Sequence, residues 1–157
     1  MKYNYLVSLL LLTTVHLFAQ QSTLIDEART LERQFKTIEA IKKYETLVSN
    51  DQRNIPVLVR LAELYCMEGQ SKENEEERKS MYALAGKYAG KANAIDSNRA
   101  DVHYANAMVI GKMIEFASIK DKTRLTMVLR EKTDRALAID PNYTKAIYTL
   151  AKWNDEV

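Results

Sequence analysis

Ala92-Asn93-Ala94-Ile95-Asp96-Ser97-Asn98 leads into an apolar-periodic helix from about Ala100, and Ala136-Leu137-Ala138-Ile139-Asp140-Pro141-Asn142 leads into another from Thr144. The two passages lie 44 residues apart, from position 92 to position 136. Each joins the small and apolar end of one helix to an Asp-containing turn and then to a new helix, so the repeating unit is a pair of antiparallel helices. Leu47-Val48-Ser49-Asn50-Asp51-Gln52 occupies the equivalent place before a helix at Ile55.

The segments between these joints have helical spacing. Ala28 to Asn54 holds one helical pattern, a break at Phe35-Lys36-Thr37, and a second pattern carried by Ile38, Ile41, Tyr44 and Val48. Pro56 belongs in the first turn of the next helix, where its missing N–H costs nothing, and Glu68-Gly69 is the expected stop. Asn74 followed by Glu77 reads as a capping box opening a longer helix, with Met81, Leu84, Ala85, Tyr88, Ala92 and Ile95 as its apolar stripe. The predicted units are 21–54, 55–99, 100–143 and a partial one at 144–157. Small residues recur at one register, Ala28, Ala62, Ala107 and Ala151 on first helices and Ala40 and Ala85 on second ones, where two helix backbones approach closely. Leu129 stands where that register expects a small residue.

The composition agrees with an all-α fold: 157 residues, 46% hydrophobic and 28% charged, with only four Gly and two Pro, too few for a turn-rich β protein or a disordered one. Residues 1–19 are read apart from it. Lys2, the apolar run Leu6 to Phe18 and Ala19 before Gln20-Gln21-Ser22 have the form of a signal peptide, with an uncleaved membrane anchor as the alternative. Loss of Lys2 would leave 22 basic against 21 acidic residues, a balance that nominates no nucleic acid or other polyanion. The lone Cys66 has no internal disulfide partner and is expected to be a small buried hydrophobe.

These joints and small-residue positions resemble tetratricopeptide repeats, which implies a solenoid of antiparallel helix hairpins. The intervals after Ala62 exceed the usual spacing of about 34 by roughly ten residues. The excess falls in 70–79 and 114–123, a lengthened loop or second helix in each. From Asp96 onward His103-Tyr104-Ala105, Phe116 to Lys122 and Leu150-Ala151-Lys152-Trp153 are similar to the tetratricopeptide-like region of the regulator-of-microtubule-dynamics family and its bacterial relatives. That resemblance implies packing and not chemistry, and no microtubule role is carried over to a chain with a secretory leader.

The inventory for catalysis is thin, and no enzyme activity, metal or cofactor is expected. Outside the leader His103 is the sole histidine, and no Cys-x-x-Cys or His-Glu-x-x-His spacing exists. His103 is read as a packing residue with one satisfied nitrogen, and a Cys66–His103 dyad lacks any orienting third group. Gly86 and Gly90, four apart, are expected to allow close helix contact. Glu73, Glu75, Glu76 and Glu77 fit a helix's first turn better than a calcium loop. The basic residues from Lys120 to Arg135 read as a solvated face.

What remains is a binding surface. In such arrays the first helices line a groove for a protein or peptide partner, and the corresponding register selects Val59, Glu63, Met67, Tyr104, Met108, Lys112, Tyr148 and Lys152. The Lys/Asn clamp that some tetratricopeptide proteins use for a terminal carboxylate is not reproduced. The expectation is therefore an exported binding or scaffolding module, periplasmic or secreted in a Gram-negative bacterium. Alternatives are a self-assembling structural protein, or an adaptor held at the inner membrane by an uncleaved leader. The apolar surface of the helix from Thr144, with Ala146, Ile147, Leu150 and Trp153, further predicts a covering segment or partner beyond Val157.

Overall fold

The structure, a computed structural model, describes residues 22–156, with side chains described as far as Ala151. The expected leader lies outside these residues. The described chain is helical throughout: α1 (22–33), α2 (Thr37–Asn50), α3 (Ile55–Gln70), α4 (Glu75–Ile95), α5 (Ala100–Met113), a 3-10 turn (Ile114–Phe116), α6 (Ile119–Ile139) and α7 (Thr144–Glu156). No helix among the described residues is long and apolar enough to cross a membrane. The chain divides into two compact units, the first ending at Gln52 and the second beginning at Arg53.

The first unit is a hairpin of α1 and α2. Ala28 and Ala40 are fully buried, which lets the helices approach, and Ile41, Leu47 and Val48 supply apolar burial. Lys43 Nζ pairs with Glu27 Oε2 at 2.6 Å, and the Tyr44 hydroxyl donates to Glu32 Oε1 at 2.7 Å. The break at Phe35 is a Schellman turn: the Lys36 N–H donates to the Leu31 carbonyl and the Phe35 N–H to that of Glu32, each at 2.9 Å. Phe35 takes the left-handed position of that turn, φ 59°, where glycine is usual.

In the second unit α3 packs on α4 and α5 on α6 as hairpins, α4 and α3 also meet α5, and α7 rests on α6. Both long joints close the same way. Asp96 Oδ1 accepts from the Asn98 N–H at 2.8 Å, and Asp140 Oδ1 from the Asn142 N–H at 3.0 Å. A side chain that satisfies the backbone two residues on is what makes Asp-x-Asn the punctuation of this repeat. The extra residues predicted at 70–79 and 114–123 extend the second helices: α4 and α6 each run 21 residues. Their starts are capped by Asn74, accepting from the Glu77 N–H at 3.0 Å, and Ser118, accepting from the Asp121 N–H at 3.2 Å.

Several expectations need correcting. Gly69 does not stop α3, which continues to Gln70. It is buried, and a Cβ there would stand 2.4 Å from Tyr82 Cε1. Gly90 has nothing within 4 Å of its Cβ position and Gly86 only an ordinary contact at 3.5 Å, so close helix approach is served by Gly69 and Gly111 instead. Gly111 also explains Leu129: Leu129 Cδ1 lies 3.1 Å from where a Cβ on residue 111 would be, the small residue having moved to the facing helix. Tyr82, absent from the predicted stripe of α4, is its most completely buried large side chain. Ala62 and Ala107 are fully buried as the register required, whereas Ala151 is exposed.

Candidate functional site

Four of the candidate residues share a groove between α5, α6 and α7, all in the second unit. It has a volume of about 370 Å³. α5 contributes Tyr104, Met108, Gly111 and Lys112, α6 contributes Thr126 and Leu129, and α7 contributes Tyr148 and Thr149. Positions 104, 108 and 112 follow one another at i+4 and therefore stack along one stripe of α5. Gly111 narrows the helix where Leu129 crosses it, which sets the groove's floor.

Its aromatic end is held from beneath. Tyr104 meets Tyr143 edge to face, ring centroids 5.6 Å apart, and Lys145 Nζ sits over the Tyr104 ring at 5.6 Å. Lys145 also forms an ion pair with Glu63, whose other oxygen accepts from Arg60 Nη1 at 2.5 Å. Glu63 is buried, so its charge is compensated from two sides. Burial pushes the Tyr104 and Tyr143 hydroxyls above the ordinary phenol range, and the Glu63 carboxylate adds to both shifts. By contrast Lys112 has no carboxylate within ion-pair distance among the described residues, and it is the cation of an otherwise apolar and hydroxylic lining.

Four of the eight groove residues selected from sequence thus come together: Tyr104, Met108, Lys112 and Tyr148. Val59 and Glu63 are buried in α3, the latter as an ion-pair hub, and exposed Met67 does not line this groove. The side chain of Lys152 lies outside the described residues. Sequence reasoning missed the α6 wall, because the register was counted along first helices only.

The residues weighed for chemistry are engaged otherwise. Cys66 is buried, and burial pushes its thiol up to about 12, with nearby Lys112 opposing and Glu63 reinforcing the rise. His103 Nε2 lies 2.8 Å from the Ser97 carbonyl and its buried Nδ1 has no partner, so Nε2 carries the proton and donates. Glu75 and Glu76 pair with Lys79 at 2.6 and 3.0 Å in the first turns of α4. Among the described residues no three His, Cys, Asp or Glu side chains cluster as metal ligands do.

A family model described as regulator of microtubule dynamics protein 1-3 matches residues 22–157. No curated protein sequence is significantly similar to the chain. Among solved structures, the first tetratricopeptide domain of human RPAP3 superposes with a TM-score of 0.65 at 17% identity, covering 86% of this chain and 90% of its own. The corresponding domain of Spaghetti (RPAP3), bound to the HSP90 peptide SRMEEVD, gives 0.64 at 17% identity over 87% and 91%. The tetratricopeptide domain of Arabidopsis OM64 gives 0.66 at 9% identity over 88% and 98%. At these identities the likeness is one of fold, and it establishes a tetratricopeptide-like all-α architecture.

Proposed function

The chain belongs to the regulator of microtubule dynamics protein 1-3 family, and from that membership we propose that it is a non-catalytic protein-binding module whose partner lies in the α5–α6–α7 groove. The observation that carries this reading is the convergence of Tyr104, Met108, Lys112 and Tyr148 on one open groove. Rigid aromatic rings and an adaptable thioether are the side chains that recognise a peptide or a helix face at low entropic cost. The HSP90 peptide held by the Spaghetti domain supports a peptide as the class of partner. Lys112, with no carboxylate beside it among the described residues, favours a segment that sets an acidic side chain next to an apolar one.

Catalysis is not part of the proposal, since Cys66 is inert by burial and His103 is committed to Ser97. Export is. Lys2, the run Leu6 to Phe18 and Ala19 support a cleaved leader and a periplasmic or secreted protein. Mass spectrometry of the protein purified from its natural source tests this, and a mature chain retaining Met1 would replace it with the anchored reading. The groove is tested by capture from envelope extracts with the parent chain, Tyr104→Ala and Tyr148→Ala. Loss of the same partner from both variants is expected; retention of every partner by both would remove the groove from the reading.

A further inference from the structure

Lys112 belongs to two cavities at once. Besides the α5–α6–α7 groove it lines a smaller pocket of about 260 Å³, whose other residues are Gln70, Arg78, Tyr82 and Glu115. The end of α3, the first two turns of α4, the end of α5 and the 3-10 turn after it meet there, all in the second unit. Position 115 follows 112 at i+3, so the stripe of Tyr104, Met108 and Lys112 runs out of the groove and into this pocket.

The pocket is walled by donors that the fold leaves unanswered. Among the described residues Lys112 has no carboxylate within ion-pair distance, and the Tyr82 hydroxyl has no hydrogen-bond partner. Arg78 is held in place. Its Nη1 donates to the Glu73 carbonyl at 3.1 Å, its guanidinium carbon lies 5.7 Å from the centre of the Phe116 ring, and Nη2 pairs with Glu115 Oε1 at 3.1 Å. A cation fixed by a carbonyl and a ring is in position before a ligand arrives, which cuts the cost of binding one.

Charge counting selects the ligand. Arg78 and Lys112 against Glu115 leave one positive charge, which answers one carboxylate; a dianionic phosphate would set a surplus negative charge beside Glu115. Tyr82 is only 2% exposed, so its hydroxyl donates from a largely desolvated wall, where a charged acceptor gains most.

We propose that this pocket takes the side-chain carboxylate of an Asp or Glu in the partner segment, while an apolar neighbour of that residue fills the groove between Met108 and Tyr148. The inference rests on the proposed function and names a second subsite for the same partner. Met108 to Lys112 spans about 6 Å of helix axis, a length that about two residues of an extended segment cover with both side chains on one side. The acid therefore stands about two positions from the apolar anchor.

The probe is a library of random peptides, each fused through its C-terminus to a phage coat protein so that no terminal carboxylate is free, selected against the full chain. Selected sequences are expected to set an Asp or Glu at that spacing from an apolar residue. Made synthetically with an amidated end, the leading peptide should lose about tenfold or more in affinity when its acid is replaced by the amide, and Tyr82→Phe should weaken the acidic peptide alone by about threefold to tenfold. Tyr82→Phe keeps the ring that packs on Gly69, so the core stays filled. Lys112→Glu should abolish the preference for an acid and favour a Lys or Arg at the same place. Peptides that Tyr148→Ala releases, yet that show no acidic preference or keep it in both Tyr82→Phe and Lys112→Glu, overturn the pocket assignment and leave the groove standing. Failure to select any peptide overturns both.

Discussion

Gly69 and Tyr82 touch so closely across the α3–α4 hairpin that the smallest side chain on residue 69 would collide with the tyrosine ring: a Cβ would lie 2.4 Å from Cε1 and 2.8 Å from Cδ1. Tyr82 is itself only 2% exposed and cannot swing into solvent without vacating the core. Gly69→Ala should therefore destabilise the protein by about 1–2 kcal/mol, a strain of roughly 2–3 kcal/mol at the upper end of the overpacking range less the gain of about 1 kcal/mol in helix propensity. Gly90→Ala, with open space around it, should stabilise by about 0.5–1 kcal/mol. Urea unfolding of the pair reads both signs, and equal effects would mean that α3 and α4 are not so tightly apposed.

Phe35→Gly should raise stability by about 1 kcal/mol, because glycine takes φ 59° without the steric penalty of a β-carbon. Phe35→Ala keeps that penalty and should gain nothing. Thermal melts in the low micromolar range, with all three chains at one concentration, compare them. An alanine variant as stable as the glycine one would assign the gain to removal of the ring and not to relief of the backbone.

Alkaline pH should weaken the fold. The Cys66 thiol is raised from 9.0 to about 12 in the folded chain, so above pH 9 the unfolded chain gives up a proton that the native one keeps. The stability contributed by the neutral thiol is complete below about pH 9 and is lost progressively as pH climbs toward 12. Tyr104 and Tyr143, also raised, act in the same direction at higher pH. Cys66→Ala should flatten the first part of this decline in denaturation measured from pH 8 to 10. Thiol labelling at neutral pH should be slow and should track unfolding. Rapid labelling of the native chain would contradict burial of the sulfur.

The two groove tyrosines should separate stability from binding. Tyr148 is 70% exposed, and its replacement by alanine should shift unfolding by no more than about 0.5 kcal/mol while weakening partner capture. Tyr104 packs on Tyr143 beneath Lys145, so its alanine variant should lose about 1–3 kcal/mol of stability together with binding. Calorimetric melts beside the capture experiment distinguish these outcomes. A Tyr148→Ala variant that is badly destabilised would make its binding loss uninformative about the groove.

The hairpins were legible because their signals are local. Asp-x-Asn turns, Ala-rich registers and the Asn74 cap act within a few residues, so the chain states them without knowing its tertiary neighbours. Gly69 misled for the same reason: a helix interior disfavours glycine on propensity, and only the distant Tyr82 ring explains its place there. The buried stripe of α4 was read through Met81 and Leu84, and Tyr82 beside them was passed over because two neighbouring helices widen the covered arc. Three of the four recovered groove residues form one i+4 series on α5, and the fourth, Tyr148, lies on α7. The groove's α6 wall, and the use of Glu63 as a buried ion-pair hub, depend on pairings between helices that no spacing announces.

The Glu63 pair has a consequence for how the chain is born. Lys145 follows Glu63 by 82 positions, so while a ribosome is still extending the polypeptide the carboxylate of α3 has no access to its far partner. Arg60, one turn earlier on the same helix, is already present and bonded at 2.5 Å. The early hairpin can thus close over Glu63 with its charge answered locally, and the late arrival of α7 adds a second cation to a site that never waited empty. Loss of Arg60 should therefore be felt first in the yield of soluble protein during synthesis, and loss of Lys145 only in the finished fold.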